Sequence, residues 1–311
     1  MQIKKRFFAA LLAAFITTAI NAATPSIPKL TDSHNTRLQQ GLEKALAKMG
    51  LDTPARQGKL AVALVDITDA RQPRFASING REMMYAASLP KIAILLGAFA
   101  RIESGDMQLD AETRQTLVKM IRFSSNTAAT EMLNRVGKEF LVNLLQSPRY
   151  ALYDSKHDGG LWVGKEYGKS PAFKRDPLRN LSHGANVFQV ARFYYMLETG
   201  QLVSPAYSKE MKAILGQPAI RHKFVKGLSS VRPGALLYRK SGSWRQWHAD
   251  SAIVEHDGHR YIAVALAHDQ QGSKWLEKII VAMDDLVIKS LPRRITFFDK
   301  AMQARANPLM Q

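Results

Sequence analysis

The sequence predicts an α/β protein of the α+β kind: one antiparallel sheet flanked by helices, with an all-helical subdomain inserted. Three observations predict it. An apolar strand pattern, LAVALVDI over 60–67, stands early in the chain. Three more strand patterns stand late, at 235–240, 249–255 and 261–267. Nearly every periodic segment between them has the 3.6-residue spacing of a helix. Sheet strands from both ends of the chain, with helices between, describe a sheet interrupted by a helical insert.

Each element has a local reason. Leu38, Leu42, Ala45, Leu46 and Met49 recur at helical spacing over 33–49, and Gly50 supplies the stop. The apolar run at 60–67 reads as a buried strand, with 74–78 as its hairpin partner. The run 92–102 is a strongly apolar helix ended by Gly105; 112–121, 127–136 and 139–145 are further helices. The stretch 150–180 carries four glycines and two prolines without a period, which predicts a long functional loop. Helices follow at 185–197 and 207–215. Asp257-Gly258 is a hairpin turn between the last two strands, and 272–290 closes the fold as an amphipathic helix.

The ends read differently. Lys4, Lys5 and Arg6 precede an apolar stretch over 7–20 and then Ala22 and Ala23, the plan of a secretory signal peptide covering 1–22. That stretch is shorter than the roughly 20 residues a spanning helix needs. A periplasmic or secreted protein with no stable membrane insertion after cleavage is expected. The catalytic domain is expected over 23–291, its helical subdomain at about 88–233, and 292–311 is a basic tail.

Composition narrows the chemistry. The 311 residues carry 44 Lys and Arg against 26 Asp and Glu, a formal charge of +18, and hold no cysteine. Thiol nucleophiles and cysteine-ligated metals are thereby excluded. The positive charge is spread along the chain, with no dense run and no aromatic-interleaved RNA motif, so a nucleic-acid partner is not expected. It favours solubility and attraction to anionic envelope polymers. Gly159 to Lys165 approaches a phosphate-binding loop, but Glu166 stands where Ser or Thr must bind magnesium. Glu255, His256 and His259 read as a polar turn rather than metal ligands. His183 is read as a residue at a helix start with no nucleophile beside it. Trp244 and Trp247 fit equally a cleft wall and a packing layer. Neither metal nor cofactor is expected, and a monomer is.

Three short motifs carry chemistry. Ser88-Leu89-Pro90-Lys91 opens the apolar helix. Pro90 belongs in a first helical turn, which places Ser88 at the N-terminus with Lys91 three residues on, on the same face. A helix N-terminus favours developing negative charge, and a lysine with a lowered pKa can take a hydroxyl proton. Ser124-Ser125-Asn126 starts a later helix. Lys240-Ser241-Gly242 ends a late strand, where glycine permits close approach of a substrate backbone. Each alone is an ordinary cap or turn. Their order, Ser-x-x-Lys, then Ser-x-Asn, then Lys-Ser-Gly, resembles that of the penicillin-recognising serine hydrolases, the class A β-lactamase branch above all. The resemblance runs over about 60–291 and implies a β-lactamase/transpeptidase-like fold.

The resemblance also implies roles. Ser88 would be the acyl-accepting nucleophile, Lys91 its proton acceptor and Ser124 a proton relay. Asn126 would support Lys91 and hold the substrate amide, while Lys240 and Ser241 would bind the substrate carboxylate. Gly242 would admit the substrate, and the N–H groups of Ser88 and Ser243 would form the oxyanion hole. The implied partner is a small β-lactam or a cell-wall peptide. The alternatives are a D,D-peptidase or other acyl-hydrolase, and a penicillin-binding sensor with little turnover. The sequence departs from the pattern in three ways. Ser125 stands where Asp is usual, and the helical stretch between Ser88 and Ser124 is compressed. The Glu-x-x-Leu-Asn loop that supplies the deacylation base is not present as such. Glu166, Asp176 and Asp158 are the candidates for that base.

Overall fold

A computed structural model describes residues 27–290. The expected signal peptide and basic tail lie outside those residues. The core element is a five-stranded antiparallel sheet. Its strands are β1 (Leu60–Asp66), β2 (Arg74–Ile78), β3 (Leu236–Trp244), β4 (Trp247–His256) and β5 (His259–His268), in the spatial order β2-β1-β5-β4-β3. Both ends of the chain build it. β1 pairs with β5 from Leu60 opposite Ala267 to Asp66 opposite Tyr261, which closes the sheet across the whole helical insert.

The period of two in β1 explains why it reads as one apolar run. Ala61, Ala63 and Val65 enter the core on the insert's side; Leu60, Val62 and Leu64 enter the core on the other. β5 divides likewise: Ile262, Val264 and Leu266 face one core, while Ala263, Ala265 and Ala267 face the other. The second core is covered by α1 (Thr36–Lys48) and the closing helix Gly272–Ser290. α1 starts later than its apolar spacing suggests because the Asn35 side chain accepts from Leu38 N at 2.9 Å and caps it. The turn between β4 and β5 has Asp257 at φ 47° and Gly258 at φ 75°, the paired left-handed conformation that Asp-Gly tolerates.

The insert centres on α2 (Lys91–Glu103), whose residues from Lys91 to Phe99 are all buried. Around it lie α3 (Ala111–Arg122), α4 (Asn126–Val136) and α5 (Lys138–Gln146), then α6 (Val187–Glu198) and α7 (Pro205–Leu215). Two features differ from expectation. α2 begins at Lys91 with Pro90 as its cap, so Ser88 sits in the tight turn just before the helix. The stretch 150–180 is also more ordered than its sequence suggests. Tyr153–Asp154 pairs with Gly159–Gly160, and Trp162–Val163 joins a small sheet with Met84–Tyr85 and His183–Ala185. Two-residue strands are too short to leave a period. His183 accordingly lies on a strand, not at a helix start.

Candidate active site

The turn before α2 sets the site. Leu89 N bonds to Ala86 O at 3.0 Å and Lys91 N to Ser88 O at 3.3 Å, winding the backbone tightly around Ser88. Ala87, immediately before Ser88, is held at φ 51°, a conformation costly for a residue with a Cβ. β3 passes directly against this turn. A Cβ on Gly242 would lie 2.2 Å from Ala86 O and 2.9 Å from the backbone nitrogens of Ser88 and Leu89. The sequence suggested that this glycine admits a substrate backbone. The chain that approaches it is instead the protein's own serine-bearing turn.

Lys91 is fully buried, and its ammonium donates to Ser124 O at 2.7 Å, Ser125 O at 3.2 Å and Asn126 Oδ1 at 2.8 Å. It also lies 4.5 Å from the centre of the Tyr167 ring. Its acceptors are two main-chain carbonyls and an amide oxygen, all uncharged. Burial lowers its pKa to about 7. Lys240, buried as well, donates to Ser124 Oγ at 2.9 Å and to Ser241 O at 2.7 Å. Burial first, and then the Lys91 charge, hold Lys240 well below an ordinary lysine. For Lys91 desolvation alone lowers the pKa, not the nearby Lys240 charge. Ser124 sits at φ 57°, a second strained position. Ser125 caps α4, its side chain accepting from Ala128 N at 3.2 Å.

A cleft of about 320 Å³ opens over Ser88. Asn126 and Ser243 line it, together with Tyr85, Tyr167, His183 and Trp244. Lys91, Lys240 and Ser241 are buried and stand outside that lining. Ser241, expected to meet a substrate carboxylate, is 5% exposed, and its carbonyl serves Lys240. Trp244 is a cleft wall, 56% exposed, whereas Trp247 is a packing residue stacked on His268 at 3.7 Å.

The three candidate bases separate cleanly. Asp176 is buried as a loop brace. It accepts from Tyr153 OH at 2.9 Å and from the N–H groups of Leu178, Arg179 and Leu181. Asp158 pairs with Arg81 and takes no part in the cleft lining. Glu166 does border the cleft, but it is held by Lys138 at 2.6 Å and by Ser170 Oγ at 3.1 Å. The Lys138 hydrogen bond keeps its carboxyl below the usual range, so it is ionised and a weak base.

Two residues of the site were missed in the sequence. Tyr167 packs its ring between the Lys91 ammonium and His183, whose ring centre is 4.2 Å away. Its main-chain N–H and carbonyl bond to the Thr130 hydroxyl on α4. Its neighbour Glu166 drew the attention, although an aromatic among polar loop residues was the available signal. Lys223 is the other. It is 1% exposed and donates to Gly242 O at 2.6 Å, Ser243 Oγ at 2.8 Å and Ala249 O at 3.1 Å, fixing the end of β3. Burial lowers its pKa to about 8. In the sequence it was one basic residue among many. Among the described residues no group of three or more His, Asp or Glu is arranged to hold a metal ion.

A sheet built from both chain ends, with a serine-lysine turn on the first insert helix facing the edge strand, defines a serine β-lactamase-like hydrolase. The chain belongs to the β-lactamase enzyme family, whose sequence profile matches residues 41–114 and 111–291. Solved structures share the fold at low identity. The β-lactamase from Sphaerobacter thermophilus is 14% identical over 82% of this chain and 96% of its own, with a TM-score of 0.62. A representative class A β-lactamase from Bacteroides cellulosilyticus is 14% identical over 82% and 99%, with a TM-score of 0.62. A variant of PBP-A, solved as an acyl-enzyme complex with penicillin G, is 18% identical over 83% and 98%, also at 0.62. No curated protein matches the chain in sequence. Among the described residues no helix is long and apolar enough to cross a membrane.

Proposed function

We propose that this hydrolase is exported and acts on β-lactams through an ester on Ser88, with fast acylation and slow hydrolysis. The observation that carries the reading is the environment of Lys91. It is a buried lysine with a pKa near 7 and only neutral acceptors, one turn from the serine. At neutral pH a large share of it is the free amine. That amine takes the Ser88 hydroxyl proton as Oγ bonds to the lactam carbonyl carbon. The main-chain N–H groups of Ser88 and Ser243 receive the developing oxyanion. The carbon–nitrogen bond then breaks as Ser124 passes its hydroxyl proton to the leaving nitrogen and takes one back from the Lys240 ammonium that donates to it, while Lys91 keeps the Ser88 proton. Asn126 steadies Lys91 and offers its amide to the substrate.

Water must then attack the ester, and this step is the weak one. Tyr167 occupies the space beside Lys91, and Glu166, the only carboxylate lining the cleft among the described residues, is ion-paired with Lys138. Slow release favours a penicillin-binding behaviour over rapid antibiotic clearance. The leader-like sequence at 1–22 supports export to the periplasm. Intact-mass spectrometry of the protein with excess penicillin tests the reading. A mass increase of one penicillin that persists for minutes, absent in Ser88→Ala, is expected. An adduct that clears as penicillin is consumed would overturn slow hydrolysis. No adduct at all would remove the β-lactam from the reading.

A further inference from the structure

The serine cleft is not the only cleft among the described residues, and a larger one lies elsewhere. A second cleft of about 1120 Å³ lies between the start of the described chain, the 150s segment and α6, and shares no lining residue with the first. Its cations are Lys29, Arg81, Arg149, Lys156 and Arg192, against the single carboxylate of Asp154. Arg81 and Arg149 have ion-pair partners in Asp158 and Glu103. Lys29, Lys156 and Arg192 pair with no carboxylate among the described residues.

Arg192 is the distinctive one. It is half-buried on α6, and its guanidinium donates to Ala151 O at 2.8 Å and Gln189 Oε1 at 3.2 Å. Both acceptors are neutral, and burial works against its charge, lowering its pKa. A guanidinium steered by neutral groups presents its remaining donors as a fork, the geometry that suits a planar carboxylate. The surroundings are not those of a polyphosphate site. Tyr153, Phe188 and Met196 supply apolar surface, while Gln146, Gln189 and the Asp154 carboxylate supply acceptors. The glutamine oxygens can accept from the N–H groups of a peptide whose carboxylate lies on Arg192.

We infer that this second cleft binds a carboxylate-bearing peptide, with one carboxylate on Arg192 and the charge of Lys29 and Lys156 at its rim. It is a binding site separate from Ser88 and independent of the acyl-enzyme reading. The inference also gives a specific place to part of the +18 charge.

The test is fluorescence anisotropy of fluorescein-labelled tetraglutamate titrated with the full protein at low salt. Saturable binding is expected, weakened about tenfold or more in Arg192→Gln, since a charge-assisted hydrogen bond is lost. The double variant Lys29→Gln/Lys156→Gln, which removes no ion pair among the described residues, keeps the test open if Arg192→Gln misfolds; it should weaken binding several-fold. Ser88→Ala and penicillin-treated protein should bind as the untreated protein does. No saturable binding, or equal binding by both variants, would overturn the site. Displacement of the peptide by penicillin would move it to the serine cleft. Displacement by inorganic phosphate at lower concentration than by glutarate would overturn the carboxylate assignment.

Discussion

Replacing Gly242 by alanine tests how closely the edge strand must lie on the serine turn. The new Cβ would stand 2.2 Å from Ala86 O. A carbon–oxygen contact settles at roughly 3.3 Å, so the strand and the turn must part by about 1 Å. All three nearest atoms are main chain, so no side chain can swing aside. The separation falls between Ser88 and Ser243, whose N–H groups receive the oxyanion in the proposed mechanism. It also strains the 2.9 Å bond from Lys240 to Ser124 Oγ. Overpacking of this kind costs about 1–3 kcal/mol of stability. A displacement of about 1 Å at reacting groups costs on the order of 10²-fold in rate. Stopped-flow acylation by a chromogenic cephalosporin, beside a thermal melt, reads both. Gly234→Ala is the control, because nothing lies within 4 Å of its Cβ position. Acylation by Gly242→Ala within threefold of the parent, with an unchanged melt, would refute the argument that this contact sets the site.

Further outcomes follow from the same geometry. Burial lowers the Lys91 pKa to about 7, so if the proposed amine base is right the acylation rate should rise with pH and level off above that value. A flat stopped-flow profile from pH 5 to 9 would remove Lys91 as the base. Lys91→Met should abolish acylation. Because burial of its charge costs stability most fully below pH 7, that variant should melt no lower than the parent at pH 6. Glu166→Gln should change penicillin turnover by less than about threefold, since the carboxylate serves Lys138; a tenfold fall in deacylation would make Glu166 the base after all. Asp250→Asn should cost about 3–5 kcal/mol in urea unfolding, because it strips a two-pronged partner, at 2.7 Å on each prong, from the buried Arg239 next to Lys240.

How much of this was legible in the sequence follows from how far apart the cooperating residues lie. The β1–β2 hairpin, α2 and the Asp257-Gly258 turn were readable because local periodicity and turn chemistry determine them within a few residues. The short strands around Tyr153, Trp162 and His183 were not, because their pairing is long-range and each is too brief to repeat. The same division holds at the site. Ser88, Lys91, Ser124, Asn126 and Lys240 belong to short motifs whose order is informative, and hydrogen bonds link Lys91 to Asn126 and Lys240 to Ser124. Tyr167 and Lys223 belong to no motif. Each matters only through a partner distant in the chain: Tyr167 through Lys91 and Thr130, Lys223 through Gly242 and Ala249. Gly242 shows the same limit. A glycine announces that something must come close; it does not say what. Here the turn that carries Ser88 comes close to the residue expected to make room for substrate. Acylation and hydrolysis are correspondingly unequal in the sequence. The groups assigned to acylation in the proposal lie in motifs, whereas the proposed slow hydrolysis rests on which loop side chain meets Lys91. In this chain the loop side chain beside Lys91 is an aromatic ring rather than a carboxylate, and it is placed by Thr130, which follows the Ser-x-Asn motif on the same helix but is 37 residues from Tyr167 in the chain.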